Sequence, residues 1–452
     1  MKLASTAPRK GRVAPDANAY RLLVLHSPVP SLQGQSFGLG AAAVDLGREG
    51  LGPDAIVLDD EAASRRHARI ERSKDKRDFV IRDLSSSNGT FLNGDRIDRA
   101  LLNHGDVLRV GDHIMVVERL SMQDCALLVE AQDPKTALRG DSVAIRRLIK
   151  RVHSIAGLDD PVLITGESGS GKEHVAQELH RRSARTGPLV PVNCAAIPNA
   201  LAEAELFGHG AQAFTGAKQA RDGLFAAAQD GTLFLDEIGE LPPPLQAKML
   251  RVLATGEIRR VGETQSRQVS TRIIAATHVD LSRAVDEGEF RGDLYSRIQT
   301  FELNVPPLRE RRSDVLSLPA ELLKIGASSL SADAVELLTT YGWPFNVREL
   351  LQSLRAAAHN AGERGSALIE PEDLPERITK RRGAPAEDPL VPSSLPASVQ
   401  TARDAMPSAE QLDALLAEFE GNVVRVAAFF DKDRKQIYRW IERYGLDPSA
   451  HR

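Results

Sequence analysis

Residues 162–173 read Val-Leu-Ile-Thr-Gly-Glu-Ser-Gly-Ser-Gly-Lys-Glu, and this stretch decides the fold of the middle of the chain. Val162–Thr165 is a short apolar run bounded by a turn signal, the pattern of a buried strand. Gly166, Glu167, Ser168, Gly169, Ser170 and Gly171 follow as a glycine-rich loop, and Lys172 opens a helix. Glycines let successive backbone N–H groups point inward around phosphate oxygens. The helix N-terminus adds partial positive charge, and the lysine reaches the β- and γ-phosphates. The segment therefore predicts a nucleotide site. One residue departs from the general pattern: Glu173 stands where Ser or Thr usually ligates Mg²⁺.

The surroundings extend the same reading. Ile145, Leu148, Ile149 and Val152 fall at i, i+3, i+4 and i+7, one face of a helix before the strand. Strands alternating with helices through residues 138–378 predict a parallel α/β sheet. About 65 residues beyond the loop, Gly231-Thr-Leu-Phe-Leu-Asp236-Glu237 is an apolar strand ending in two carboxylates. Beside a phosphate loop, that pair suits an Asp that organises Mg²⁺ and a Glu that polarises the attacking water of ATP hydrolysis. Asn193 ends another strand, Leu189–Asn193, from which its amide is expected to hold Glu237.

The chain has 452 residues with 58 Lys+Arg against 62 Asp+Glu, a net charge of −4. That balance excludes a uniformly basic coat for nucleic acid but not a local basic module. Hydrophobic residues at 42% and charged residues at 27% describe an ordinary globular mixture and exclude whole-chain disorder. Cys125 and Cys194 are too few for a disulfide framework and fit a reducing compartment. No apolar run approaches the ~20 residues that cross a bilayer. Lys2, Arg9, Lys10 and Arg12 lack an apolar run behind them, which is not a secretory signal, so the expected location is cytoplasmic without a membrane partner.

Composition divides the chain. Residues 1–20 are a polar tail, expected to be disordered. From 21 to 119, runs such as Leu22–Leu25, Phe79–Ile81, Val107–Val110 and His113–Val117 alternate with turn residues, the pattern of an all-β sandwich. Residues 379–407 are rich in Pro, Ala and Ser and read as a linker. In the last 45 residues, Val423, Val426, Ala427 and Phe430 form one helical face, and Ile437, Trp440, Ile441 and Tyr444 form another. On the second helix Lys435, Arg439 and Arg443 recur at i, i+4 and i+8. Two short helices with a basic second one describe a helix-turn-helix, whose second helix enters the major groove. From Gly421 to Arg452, seven Lys/Arg against four Asp/Glu leave a local +3.

Residues 138–378 resemble the AAA+ ATPase domain of bacterial sigma-54-dependent transcription activators. Gly166–Glu173 carries that family's Glu in place of Ser/Thr. Glu205-Leu-Phe-Gly-His209 with Ala213-Phe-Thr-Gly-Ala217 resembles its sigma-gripping loop, and Phe290-Arg291-x-Asp-Leu-Tyr-x-Arg297 its trans-acting arginine segment. Pro306-Pro-Leu-Arg-Glu-Arg311 and Trp343-Pro-x-Asn-Val-Arg348-Glu-Leu are similar to the sequences around its second sensor. The resemblance implies roles: Lys172 for phosphates, Asp236 for Mg²⁺, Glu237 for water with Asn193 as its switch partner. It further implies Arg291 and Arg297 on a neighbour's γ-phosphate, Arg348 sensing nucleotide in cis, and Phe214, Thr215 and Gly216 on the sigma factor. A ring, expected to be a hexamer, follows from the same resemblance. Without it, Arg291 and Arg297 read as surface arginines paired with Asp293 or Glu310.

Three positions depart from the family pattern: Gln212 where the loop usually has Gly, His278 in the sensor position after Thr271–Thr277, and Phe345 where Gly is usual, the last expected to be tolerated by repacking. Gln212 keeps an alternative open, a DNA-bound or peptide-bound AAA+ scaffold that does not engage sigma-54.

In the front sandwich, Arg48, Ser64-Arg65-Arg66-His67 and Ser85-Ser-Ser87-Asn88-Gly89-Thr90 fall in loops between strands. Taken plainly, Asn88-Gly89 is a turn dipeptide. Taken together, the loops supply side-chain donors for a phosphate. This pattern resembles the forkhead-associated (FHA) domain, which implies that Arg48, Ser64, Arg65, Ser87 and Asn88 contact a phosphothreonine-containing protein, with His67 as a structural brace. The tail resembles the Fis-type DNA-binding domain, which implies enhancer DNA contacts by Arg434, Lys435, Tyr438, Arg439 and Arg443. The expected architecture is multidomain: an all-β FHA sandwich, an α/β P-loop AAA+ ATPase with a helical lid, and an all-α helix-turn-helix. The expected work is ATP-driven remodelling of sigma-54 RNA polymerase.

Overall fold

Val162, Leu163 and Ile164 are buried on an inner strand of a five-stranded sheet whose strands are all parallel. Its spatial order is Leu189–Asn193, Thr232–Asp236, Arg272–Thr277, Val162–Thr165 and Phe301–Asn304. A strand covered on both faces needs a continuous apolar run, and Thr232–Leu235 and Ile273–Ala276 are buried throughout. Because every strand points the same way, the loops after Thr165, Asn193, Asp236 and Thr277 all leave from one edge. The computed structural model describes residues 19–49, 55–73, 78–130, 133–213, 219–380, 408–418, 426 and 434–446. The expected tail at 1–18 and most of the expected linker, 381–407, lie outside these residues.

A lid of helices, Asp314–Leu322, Ala332–Thr340 and Asn346–Glu363, packs around Trp343, which is fully buried. The Trp343 indole donates to Leu338 O at 2.9 Å, so its one polar atom is satisfied in an otherwise apolar core.

The front part is a sandwich of two sheets. One runs Ser36–Leu39, Ala19–His26, His113–Leu120, Val107–Val110, Thr90–Leu92, Asp95–Ile97. The other runs Ile56–Val57, Val44–Gly47, Ala68–Arg72, Phe79–Asp83, Arg99–Leu102. Alternate residues Leu22, Val24, Leu46, Ile70, Ile81, Leu108 and Val117 meet between them, as the two-residue period of strands dictates. Residues 1–379 form one compact unit, within which the sandwich joins the lid; residues 380–452 form a second. In that second unit the helices Ala409–Glu418 and Arg434–Tyr444 bury Leu412, Leu415, Leu416, Val426, Ile437, Trp440 and Ile441. No helix among the described residues is long and apolar enough to cross a membrane.

Candidate functional site

The loop 166–171 turns sharply off its strand. Gly166, Gly169 and Gly171 have φ of 148°, 73° and 110°. At Gly169 a Cβ would lie 2.3 Å from the carbonyl oxygen of Phe345, so the lid sits against the loop too closely for any side chain. Gly171 ends the loop, and Lys172–Arg181 is the helix behind it. Lys172 is buried, its ammonium donating to Gly166 O at 2.8 Å and Glu167 O at 3.3 Å and lying 3.7 Å from Glu237 Oε1. The loop, Asp236, Glu237, Arg311 and Arg348 bound a cavity of about 540 Å³. Leu138, Ile145, Leu318 and Leu322 line it as well, which gives it one charged and one apolar side. Glu173 is exposed beside it, its carboxylate accepting from Gln177.

Three lid residues grip the loop. Arg309 makes a two-pronged ion pair with Glu167 at 2.7 and 2.8 Å, which holds that carboxyl below its usual range. Arg311, buried, donates to Ser170 O at 2.8 Å. The Asn346 amide donates to Glu167 Oε2 and Ser168 O, both at 3.1 Å, while its oxygen accepts from Leu308 N. None of these grips is named in the sequence reading, although the Pro306–Arg311 and Trp343–Leu350 motifs contain all three; the missing signal was the partner, more than a hundred residues away. Arg348 lies with its guanidinium 3.5 Å from Ser168 Oγ. Phe345 needs no repacking: its φ is −110° and the residue is 59% exposed, while the left-handed conformation falls on Asn346 with φ 51°.

Asp236 and Glu237 end the strand next but one to Val162–Thr165, facing the cavity. Burial, and next the adjacent Glu237 charge, push the Asp236 carboxyl above its usual range, against the opposing Lys172. The neighbouring Cys194 is pushed up to about 12, by burial first and then by the same two carboxylates. Glu237 has a left-handed backbone, φ 54°, a strained conformation of the kind that concentrates at functional sites. Its Oε2 lies 2.6 Å from His278 Nδ1 and accepts from His278 N at 3.3 Å. Asn193 is not its partner here, contrary to expectation. The Asn193 side-chain oxygen instead accepts from Ala195 N at 2.9 Å, because the strand passes straight into a one-turn helix that needs a cap.

Arg291 and Arg297 are exposed at the two ends of the short helix Gly292–Ile298, away from the cavity. Arg291 forms a two-pronged ion pair with Asp293, at 2.7 and 3.0 Å. Gly208–His209 pairs with Arg221–Asp222 as the base of a hairpin. Gln212 within it holds φ 64°, so the position calls for the left-handed conformation that Gly adopts freely. Phe214, Thr215 and Gly216 lie outside the described residues.

At the sandwich end, Arg48, Arg65, Ser87 and Asn88 are exposed and Ser64 half-buried, in three adjoining loops. Arg48 N donates to Ser64 O, Ser87 N to Ser64 Oγ, and the Asn88 amide to Ala62 O. A Cβ on Gly47 would lie 2.3 Å from Arg65 O, which shows how tightly the first two loops are pressed together. His67 is fully buried, accepting from Ser64 N on Nδ1 and lying 3.0 Å from Gly89 O on Nε2, so it braces two loops. In the tail, Arg439 and Arg443 are exposed on the helix Arg434–Tyr444, which also carries Arg434, Lys435 and Tyr438; Val423, Ala427 and Phe430 lie outside the described residues.

Comparison with known proteins agrees with this layout. Residues 138–304 match the sigma-54 interaction domain, 309–389 the AAA+ ATPase lid domain and 44–111 the FHA domain. The nitric oxide reductase transcription regulator NorR2 of Cupriavidus necator is 41% identical over 326 residues, covering 68% of this chain and 62% of that protein. The regulatory protein AtoC of Escherichia coli K12 is 40% identical over 320 residues, 68% of each chain. NtrX from Brucella abortus, solved in complex with ADP, is 29% identical with a TM-score of 0.49, covering 72% of this chain and 71% of that one. The chain spans 62–63% of the length of two Cupriavidus necator NorR relatives. Its front sandwich is an FHA domain and its centre an AAA+ ATPase domain; the chain belongs to the family of transcription regulators built on the sigma-54 interaction domain.

Proposed function

We propose that this protein is an ATP-driven activator of sigma-54 RNA polymerase, bound to enhancer DNA through its tail and regulated by a phosphothreonine-containing protein at its front domain. One observation carries the ATPase part: the phosphate loop, the Asp236–Glu237 pair, Arg311 and Arg348 converge on a single cavity of about 540 Å³ with an apolar side for a base. Lys172 supplies phosphate contacts and Glu237 orients water. Arg348 reads nucleotide from the lid.

Mg²⁺ fits this site. Asp236 and Glu237 are adjacent carboxylates at the mouth of a phosphate loop, and burial together with the Glu237 charge raises the Asp236 carboxyl even against Lys172, a cost that a bound cation would offset. Among the described residues no group of three or more His, Cys, Asp or Glu could hold a metal by itself. That suits an ion that takes one or two carboxylates plus substrate phosphates. Asp236 and Glu237 would hold the ion, which when bound would supply charge neutralisation at the γ-phosphate. Arg291 and Arg297, exposed and outside the cavity, are the residues we propose to serve a neighbouring subunit of a hexameric ring, Arg291 by giving up its ion pair with Asp293. Phe214, Thr215 and Gly216 are the proposed sigma contacts.

Arg48, Ser64, Arg65, Ser87 and Asn88 are the proposed phosphothreonine contacts, supported by their placement in adjoining loops. Arg434, Lys435, Tyr438, Arg439 and Arg443 are the proposed DNA contacts, supported by the exposed Arg439 and Arg443 and by the +3 of the last 32 residues. The test is a pull-down of sigma-54 by the full chain with an ATP transition-state mimic. A complex that needs the mimic is the expected result. Hydrolysis without any such complex supports the scaffold reading instead, the reading favoured by the strain that Gln212 accepts at φ 64°.

A further inference from the structure

One end of the front sandwich carries a charge pattern that its fold does not need. On the outer face of the sandwich's five-stranded sheet, the register places Asp45 opposite Arg69, Arg69 opposite Arg82, and Arg82 opposite Arg99. Ala68, Ile70, Ile81 and Ala100, their neighbours along the strands, pack into the core, so this row faces outward. The first pair is complementary: Arg69 donates to both carboxylate oxygens of Asp45, at 2.6 and 2.8 Å. That acid is then spent, held below its usual range by the Arg69 hydrogen bonds and also by the charges of Arg69 and Arg66. The next two pairs oppose like charges, which destabilises a sheet. Arg82 and Arg99 are exposed, and among the described residues neither guanidinium has a hydrogen-bond or ion-pair partner. A face that served only solvation would alternate in sign, as Asp45 and Arg69 do.

The row adjoins the loops of the proposed phosphothreonine site. Arg82 precedes Asp83, whose carboxylate accepts from Ser86 N, Ser86 Oγ and Thr90 Oγ1. Leu84 N donates to His67 O. The strand end that carries Arg82 is thus tied to both Ser64–His67 and Ser85–Thr90. At about 3.3 Å per residue, Arg69 and Arg82 stand within about 10 Å of Arg66 and Ser85.

We propose that Arg82 and Arg99 form a second anion-binding surface continuous with that site, one that selects partners whose phosphothreonine stands in an acidic segment. The phosphate anchors the segment at the loops, and the row reads the charge of what lies beside it. Carboxylates seated between the two guanidiniums relieve a repulsion already present in the free domain, and complementary charge gives specificity. The front domain can then discriminate among phosphorylated proteins by the sequence around the phosphate.

This assignment rests on the phosphothreonine reading of the loops. The experiment passes a degenerate phosphothreonine peptide library, and its unphosphorylated counterpart, over the immobilised full chain and sequences what is retained. Wild type enriches Asp and Glu beside the phosphothreonine about threefold or more, and less so at high salt. The double variant Arg82→Gln, Arg99→Gln still retains phosphopeptides but loses the acidic enrichment. Its melting temperature is no lower than that of wild type, since opposed charges have been removed. Enrichment that persists in the double variant overturns the assignment. So does a wild type that retains phosphopeptides without regard to neighbouring charge, and in both cases the phosphothreonine reading stands. Equal retention of the two libraries removes that reading, and the assignment with it.

Discussion

Single residues at the nucleotide loop serve two purposes at once. Lys172, the proposed phosphate contact, also closes its own loop through Gly166 O and Glu167 O and lies against Glu237. Lys172→Ala removes a charged donor to the phosphates, worth about 3 kcal/mol or roughly 10²-fold in ATP affinity. Titration with a fluorescent ATP analogue measures it, and unchanged affinity refutes the role. Arg48 is exposed, and its backbone N–H donates to Ser64 O at 3.0 Å. Arg48→Ala is therefore expected to abolish phosphothreonine-peptide binding while leaving the melting temperature and the ATPase rate in place. Calorimetry with phosphorylated and unphosphorylated peptides checks this, and equal affinity of wild type and variant overturns it.

Between elements, the notable joint is that of sandwich and lid. Arg109, on the strand Val107–Val110, reaches Asp333 and Glu336 of the lid helix Ala332–Thr340 at 2.8 and 2.7 Å. Arg312 donates to Asn93 Oδ1 at 3.0 Å and Gly105 O at 2.9 Å, next in sequence to the Arg311 that holds the nucleotide loop. Leu25, Val107, Ile114 and Val116 of the sandwich share one apolar core with Leu330 and Val335 of the lid. Arg109→Ala leaves the nearly buried Glu336 without this partner at a cost of about 1–3 kcal/mol. A sandwich transition separating from the ATPase transition in a calorimetric scan is the expected sign. A second joint is pH-sensitive. Asp124 is lowered to about 2, chiefly by its two hydrogen bonds from Arg147, which tie the helix Met122–Val129 to Val143–Ile155. Its folded pKa lies below its unfolded one, so the stabilisation is complete above about pH 4 and disappears as pH falls toward 2. Arg147→Ala should accordingly lower the melting temperature at pH 7 and narrow its gap to wild type below pH 4.

For the whole molecule, the exposed arginines set the expectation. If Arg291 and Arg297 act in trans, specific ATPase activity rises with protein concentration. Lys172→Ala and Arg297→Ala chains, each inactive alone, should then regain partial activity when mixed, since one supplies the arginine and the other the loop. No recovery on mixing refutes action in trans. If the tail is the DNA-binding module proposed above, its binding weakens steeply with salt as phosphate contacts release counterions, and a titration at two salt concentrations that shows equal affinity refutes it.

What the sequence by itself determined is what is local. A strand, a glycine loop and a lysine at a helix start are contiguous in residues 162–172, and the acidic pair ends its own apolar strand. Alternation marks the front sandwich because one face of each strand must be buried. Tertiary structure decided the pairings. Glu167 meets Arg309 across 142 positions, and Arg109 meets the lid across more than 220. Glu237 meets His278 rather than Asn193, because both candidates stand on one sheet edge and only the direction of each side chain separates them. Spacing along a chain cannot carry that direction, since it is set by which backbone groups nearby still need a hydrogen bond.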